Sequence, residues 1–227
     1  MRVLAIDTAL AACSAAIFDS DAGDVLASES QPMTRGHAEA LMPLIARVMD
    51  QARIEFAAID RIAVTTGPGS FTGMRVGISA ARGIALAAGK PAIGLTTLAA
   101  YAAPLLAQDD STPVAVAIDA RHQQVYLQVF GRGGRSLVAP RIASVVEAMR
   151  NATVAPTRIV GDAAHLIAAA WPSTEPAPKL VENLPAPDIA WVARLGVTAL
   201  DNQAAPKPVY LRAPDAQPQD AARLARR

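Results

Sequence analysis

The chain has 227 residues, 52% of them hydrophobic, and a formal net charge of +1. This length and apolar content predict a folded chain with one large or two small cores, and the balanced charge argues against tight nucleic-acid binding by this chain alone. One cysteine, Cys13, excludes an internal disulfide and is typical of a reducing compartment.

The apolar segments of the chain do not predict export or membrane insertion. The opening segment, residues 1–18, carries Asp7 in the middle of what would be a signal peptide's apolar region, so it is interpreted as a strand. The longest uncharged stretch, residues 91–108, contains two prolines and is short for a membrane crossing. We therefore expect a cytoplasmic protein with no membrane segment.

The first half of the chain predicts three strands, a helix, a fourth strand and a second helix. The strand segments are RVLAID, CSAAIF, VLASES and RIAVTT. The helices are predicted over residues 36–53 and 74–88, with Gly89 as the C-terminal stop of the second. The first helix carries five apolar residues at helical spacing, namely Leu41, Leu44, Ile45, Val48 and Ala52.

The second half repeats this order with the strands VAVAID, QVYLQVF, RSLVAP and TRIVG and with helices over 142–150 and 163–170. Each half opens with a strand ending in AID, at Asp7 and Asp119, which favours an internal duplication. The expected fold is α/β, with two lobes facing a cleft as in the actin-like ATPases (ASKHA, ribonuclease H-like). The predicted domains are an N-terminal lobe over residues 1–107 and a C-terminal lobe over 108–227.

The turns that follow the two aspartates read DTALAACS and DARHQQVY and contain no glycine. In an ATPase of this architecture these turns approach phosphates closely, which requires glycine because a Cβ would collide with the ligand. Asp7 and Asp119 are therefore interpreted as structural residues at strand ends. A small ATP-dependent kinase or ATPase of the same fold is the alternative.

The segment TTGPGSFTGMR, residues 65–75, joins the fourth strand to the second helix. It is not a P-loop, because Met74 follows Gly73 where that motif needs lysine. Its glycines predict a sharp turn with Thr72 as a helix cap, and an anion at the helix start is the alternative. The residues expected near a bound nucleotide, if there is one, are Asp7, Thr8, Gly67 and Gly69.

Neither metal binding nor serine catalysis is predicted. The histidines His37, His122 and His165 are far apart in the sequence and form no H-E-x-x-H motif. Ser70 lacks the G-x-S-x-G spacing of a nucleophile elbow, so a peptidase is a third alternative without a motif. We expect no catalytic residue and no metal ligand.

The second helix is small or apolar on several sides, which predicts contacts with more than one neighbour and hence a helical docking surface. Its small residues are Gly77, Ala80, Ala81, Gly83 and Ala87.

Several segments resemble the TsaB (YeaZ) family of bacterial tRNA threonylcarbamoyladenosine biosynthesis proteins. They are VLAIDTALAACSAAI, RGHAEALMPLI, TTGPGSFTGMRVGISAARGIA, IGLTTLAAYA, DARHQQVY and PVYLR. The resemblance covers about the first 130 residues and resumes at residues 208–212. The glycine loop and the helix after it are its most specific part.

The resemblance implies a non-catalytic relative of the transferase TsaD. TsaD, with TsaB and the ATPase TsaE, moves a threonylcarbamoyl group to the adenosine next to the tRNA anticodon. Thr97 and Tyr101 stand where TsaD has its metal-binding H-x-x-x-H pair. The chain is therefore expected to act as a scaffold without a metal, and to meet tRNA only through the complex.

The resemblance also implies that the two early helices dock onto TsaD, or onto a second copy of this chain when TsaD is absent. ATP or ADP near the subunit junction is a further expectation. Residues 171–187 and the tail after Leu211 match nothing in the family pattern, and the tail is expected to be mobile. The interface residues carried over are His37, Leu41, Leu44, Ile45, Arg75, Ser79, Arg82 and Leu86.

Overall fold

The structure is a computed structural model, and it describes residues 1–153, 157–200 and 204–212. The first half contains β1 (Arg2–Asp7), β2 (Ala12–Asp19), β3 (Asp24–Pro32), α1 (His37–Ala52), β4 (Arg61–Thr65), α2 (Phe71–Ala88), β5 (Ala92–Leu95) and α3 (Thr97–Gln108). The second half contains β6 (Val114–Asp119), β7 (Gln124–Phe130), β8 (Ser136–Ser144), α4 (Val145–Ala152), β9 (Arg158–Gly161), α5 (Ala164–Ala169), β10 (Leu180–Asn183) and α6 (Ile189–Thr198).

Each half builds one five-stranded mixed sheet, and the two sheets have the same strand order. The first sheet is β3-β2-β1-β4-β5, and the second is β8-β7-β6-β9-β10. In both, the first three strands of the half are antiparallel neighbours and the last two run parallel to the first. The predicted duplication and the two-lobed, actin-like α/β fold are confirmed.

The last helix of each half packs on the sheet of the other half. α3 lies on the second sheet, where Leu98 and Tyr101 join the core around Val116. α6 lies on the first sheet, where Val192 packs in the core around Val3. Each helix covers a sheet face that would otherwise be exposed, so the two halves stabilise one another. The predicted division at residues 107 and 108 therefore separates the two sheets but not their helical layers.

Sequence analysis placed most elements and missed four. α1, β1, β6 and β7 lie where predicted, and Gly89 ends α2 in the left-handed conformation with φ 63°. α2 begins at Phe71, three residues earlier than expected, because Ser70 rather than Thr72 caps it by accepting a hydrogen bond from the Gly73 N–H. α4 begins three residues later than predicted, because β8 continues to Ser144. The missed elements are β5, α3, β10 and α6.

In the described part of the chain, every helix falls short of the length and apolarity that a bilayer crossing requires. The predicted behaviour of the tail beyond Arg212 concerns residues that lie outside the described ranges.

Candidate functional site

The glycine loop between β4 and α2 packs directly against the turn that follows β1. The Ser70 N–H donates to the Ala9 carbonyl at 2.7 Å. A Cβ at Gly69 would lie 2.3 Å from the Ala9 oxygen, and one at Gly73 would lie 2.1 Å from the Thr8 oxygen. Only glycine permits this approach, because real Cβ atoms do not come so close to a carbonyl oxygen. The loop's glycines therefore bring two segments of the same chain together.

The start of the loop is held by the last described segment of the chain. The Val209 N–H donates to the Thr66 carbonyl at 2.8 Å, and the Thr97 N–H donates to the Gly67 carbonyl at 2.9 Å. Gly67 has φ 103°, and a Cβ there would lie 2.1 Å from the Met74 sulfur. The predicted sharp turn is present, and the space around it is filled by protein.

Asp7 and Thr8, two of the residues expected near a nucleotide, are buried. The Asp7 Oδ1 accepts hydrogen bonds from the Ala9 N–H at 3.0 Å and from the Thr65 hydroxyl. Burial raises the pKa of the Asp7 carboxyl. The Thr8 hydroxyl donates to the Gly73 carbonyl at 2.7 Å. Asp7 Oδ1, the Thr8 hydroxyl and the Gly67 carbonyl thus bind this chain, whereas Gly69 lines the cleft between the lobes.

The expectation that Asp7 and Asp119 both face the cleft holds for Asp119 alone. Asp7 is fully buried under the glycine loop, whereas Asp119 is exposed and lines an interlobe cleft of about 740 Å³. Asp162 lies beside it and accepts a hydrogen bond from the Asp119 N–H at 2.8 Å. Burial, reinforced by the Asp119 charge, raises the pKa of Asp162 to about 6. Sequence analysis did not single out Asp162, since nothing in GDAAH marks its environment.

The positions aligned with the TsaD histidine pair lie inside the protein. Thr97 and Tyr101 are at most 1% exposed. The Tyr101 hydroxyl donates to the Leu184 carbonyl at 2.8 Å, and burial raises the pKa of this phenol. This bond ties the segment around Leu184 to α3. Among the described residues, no three histidine, cysteine, aspartate or glutamate side chains are grouped closely enough to hold a metal ion.

His37, His165 and Ser70 have structural partners. The His37 Nε2 lies 3.1 Å from the Leu10 carbonyl oxygen, and the His165 Nδ1 lies 2.6 Å from the Asn183 Oδ1. The Ser70 oxygen caps α2. The hydroxyl that a peptidase mechanism would use is therefore engaged by the backbone of its own helix.

The interface residues predicted on α1 are largely buried in the first lobe. Leu41, Leu44 and Ile45 are at most 1% exposed and pack in its core, and His37 is 8% exposed. Leu41 also lines a groove between α1 and α2. Leu44 and Ile45 are a correction, because their side of the helix faces the sheet and is not available to a partner.

The predicted residues of α2 share one exposed face, and they are Arg75, Ser79, Arg82 and Leu86. The small residues of this helix have two different surroundings. Gly77 faces the lobe, where a Cβ would lie 2.5 Å from the Thr8 hydroxyl, whereas a Cβ at Gly83 would have no atom within 4 Å. The outer face of α2 is thus open, and its inner face is in close contact with β1.

A groove of about 480 Å³ separates the exposed sides of α1 and α2. Met42 and Phe71 are each 49% exposed, and Leu86 is 86% exposed. We call the exposed surface formed by both helices the α1–α2 face, and it consists of Ala38, Met42, Phe71, Thr72, Arg75, Ser79, Arg82 and Leu86. The contribution of Met42 is apparent from the sequence, whereas those of Ala38 and Phe71 were not predicted.

Comparisons with known proteins place the chain in a family. A family model described as TsaD, tRNA N6-adenosine threonylcarbamoyltransferase, matches residues 25–177. The chain is 39% identical to the tRNA threonylcarbamoyladenosine biosynthesis protein TsaB of Escherichia coli (strain K12) over 132 residues, which cover 58% of this chain and 56% of that protein. The match thus spans little more than half of that relative.

Two other proteins match along nearly the full length. An uncharacterized protein of Mycobacterium tuberculosis (strain H37Rv) is 31% identical over 216 residues, covering 95% of this chain and 94% of that protein. The crystal structure of an uncharacterized Pseudomonas aeruginosa protein with similarity to peptidase YeaZ is 28% identical, has a TM-score of 0.78, and covers 93% of this chain and 99% of that chain. The chain therefore belongs to the TsaD family and, within it, to the TsaB (YeaZ) group.

Proposed function

We propose that this chain is a non-catalytic subunit of the machinery that makes threonylcarbamoyladenosine in tRNA, and that it binds the catalytic TsaD subunit through the α1–α2 face. The role in this modification is the one named for the Escherichia coli relative, extended here to this chain. TsaD is the proposed partner because both proteins belong to one family and so present related pairs of helices.

The observation that carries the proposal is the exposure of the α1–α2 face. Met42, Phe71 and Leu86 expose apolar side chains on neighbouring helices, and the groove between the helices is lined mostly by apolar atoms. Met42 and Phe71 line one groove, whereas Leu86 lies farther along α2. Exposed apolar surface around a groove marks protein interaction sites more often than scattered single residues do. Burying it against a second helical pair would remove it from water.

The interior of the first lobe supports a binding role over an enzymatic one. The carboxylate at the end of β1, Asp7, is enclosed by the glycine loop, and the loop's own backbone groups bind the turn that would approach a phosphate. The ATPase alternative predicts ATP turnover by the isolated protein that Asp7→Ala abolishes. Such turnover would overturn the proposal.

The remaining parts of the proposal follow from TsaD binding. TsaE joins the complex, tRNA is met only through it, and a second copy of this chain occupies the α1–α2 face when TsaD is absent. ATP or ADP binds near the subunit junction rather than inside the first lobe. Isothermal titration of nucleotide into the separate proteins and into the mixture would locate this site.

The test is co-purification of the chain with TsaD from the same genome, followed by a tRNA modification assay. Ser79→Glu places a charge in the centre of the face and should abolish co-purification and modification, because a buried charge without a partner is costly. The matched control is Val146→Glu on α4, which is 50% exposed in the second half. Equal loss with both variants, or with neither, would contradict the proposed face.

A further inference from the structure

The last described residues form a segment that crosses from one lobe to the other, and we call residues 206–212 the C-terminal strap. Pro206 is buried and packs beside Gly94, where a Cβ would lie 3.3 Å from the Pro206 side chain. Val209 bonds to the end of β4. At the far end, the Arg212 guanidinium donates a hydrogen bond to the Gln124 side chain of β7. The strap is thus fixed on both sides of the cleft.

Between these anchors the strap touches the α1–α2 face at one place. The Tyr210 ring stacks on the Phe71 ring with centroids 5.5 Å apart and an interplanar angle of 30°. The Tyr210 hydroxyl accepts a hydrogen bond from the Arg75 Nε at 2.9 Å. The Arg75 guanidinium also lies 3.7 Å from the Phe71 ring centroid, a cation–π contact. An exposed arginine is therefore held on two sides by aromatic residues.

The hydrogen bond to Tyr210 engages one of the three guanidinium nitrogens of Arg75. A guanidinium has five N–H donors in a fixed plane, and only the Nε donor is used by the strap. Within the described ranges, none of the ion pairs involves Arg75. The paired terminal nitrogens match the spacing of the two oxygens of a carboxylate.

The charge of α2 indicates what the partner offers there. Arg75 and Arg82 are exposed, and the helix contains no aspartate or glutamate. A second copy that set α2 against α2 would bring arginine towards arginine, so the homodimer formed in the absence of TsaD is expected to be weaker than the heteromer. A partner with carboxylates opposite α2 is complementary to this surface.

We propose that Arg75 binds a carboxylate of the catalytic partner and that Tyr210 is the positioning residue that holds Arg75 ready for it. The proposal rests on the proposed function, since it names the chemistry of the same face. Because the strap already restricts the Arg75 side chain, fewer of its conformations are lost when it binds the partner. It also makes docking depend on a segment that is anchored to both lobes.

The test is a double-mutant cycle on the full-length chain, with affinity for TsaD measured by isothermal titration at about 0.1 M and about 0.5 M NaCl. Arg75→Gln should weaken binding about tenfold or more at the lower salt concentration and should flatten the salt dependence. Tyr210→Phe keeps the ring stack but removes the acceptor for Arg75, and it should weaken binding about threefold to tenfold. Tyr210→Phe should have no further effect when Arg75 is already Gln.

Tyr126→Phe is the matched control, because it removes another tyrosine hydroxyl of the same cleft, one carried by β7 rather than by the strap. It should bind TsaD like the wild type, and all variants should keep the wild-type melting temperature because the altered groups are exposed or half-buried. Wild-type affinity for Tyr210→Phe, or an effect that adds fully to that of Arg75→Gln, would overturn the role of Tyr210. An unchanged salt slope for Arg75→Gln would overturn the carboxylate. If the wild-type chain itself does not bind TsaD, the proposed function fails instead.

Discussion

The two halves of the molecule share a strand order but differ in their helices. In the first half, α1 and α2 have 16 and 18 residues, whereas α4 and α5 in the second half have 8 and 6. The first half also carries Met42, Phe71 and Leu86 on neighbouring exposed surfaces. The duplicated topology therefore fixes where the helices lie, and the two halves differ in helix length.

The two equivalent aspartates show the same divergence on a smaller scale. Asp7 is buried because the glycine loop closes over the end of β1. Asp119 ends the corresponding strand β6 but stays exposed, since the turn after it, residues 121–123, has positive φ angles and leads directly into β7. Two residues at the same position of the repeat thus differ in burial because different loops follow them.

The largest expected effect is on stability, and it comes from disrupting the contact between the start of α2 and the turn after β1. Gly73→Ala should lower the free energy of unfolding by about 3 kcal/mol or more, because the new Cβ would meet the Thr8 carbonyl. Gly83→Ala on the same helix has open space around it and should raise stability by up to about 1 kcal/mol through helix propensity. Urea denaturation of both variants measures the difference. Similar effects would show that the loop is not tightly packed.

The next largest effect is on TsaD binding, and it compares a substitution on α2 with one on α4. Ser79→Glu should weaken TsaD binding by at least about 2 kcal/mol, whereas Val146→Glu should change it by less than about 0.5 kcal/mol. Binding can be measured by biolayer interferometry with circular dichroism as the folding control. A folded Ser79→Glu variant that binds normally would place the interface elsewhere.

A pH-dependent effect on stability is expected at Asp162 in the second half. Because the pKa of Asp162 is raised to about 6, the folded state holds this proton more tightly than the unfolded state, and stability falls as pH rises from about 4 to about 6. Asp162→Asn keeps an oxygen for the Asp119 N–H and should raise stability by about 1 to 2 kcal/mol at pH 8. The gain should shrink towards zero near pH 4. A gain of equal size at both pH values in thermal unfolding would contradict this assignment.

The smallest effect compares two exposed leucines. Leu86 on α2 is 86% exposed and Leu137 on β8 is 51% exposed, so replacing either with alanine should change stability by less than about 0.5 kcal/mol. Leu86→Ala alone should weaken TsaD binding, by about threefold. Equal binding by the two variants would show that Leu86 does not contribute to the interface.

Much of the fold could be predicted because its signals are local. Alternating and continuous apolar runs predicted β1, β6 and β7, and Gly89 predicted the end of α2. The short strands β5 and β10 and the helices α3 and α6 were missed. α3 is buried at most of its positions between the lobes, so it lacks the polar face that makes a helix recognisable by its period.

The predicted interface is wrong for Leu44 and Ile45 of α1. Both belong to the stripe that packs in the core, whereas Leu41 of the same stripe also lines the groove between the helices. On α2 the choice of Arg75 and Ser79 agrees with their exposure. The role of Tyr210 could not be predicted, because its contact with Arg75 joins residues 135 positions apart.

The most direct measurement is size-exclusion chromatography with light scattering on the chain alone and mixed with TsaD from the same genome. A heteromeric peak is expected for the wild type and for Val146→Glu, and it should be absent for Ser79→Glu. If no heteromer forms with the wild-type chain, even with nucleotide and TsaE present, the chain is not a TsaD-binding subunit. The ATP-using enzyme of the same fold would then be the better explanation.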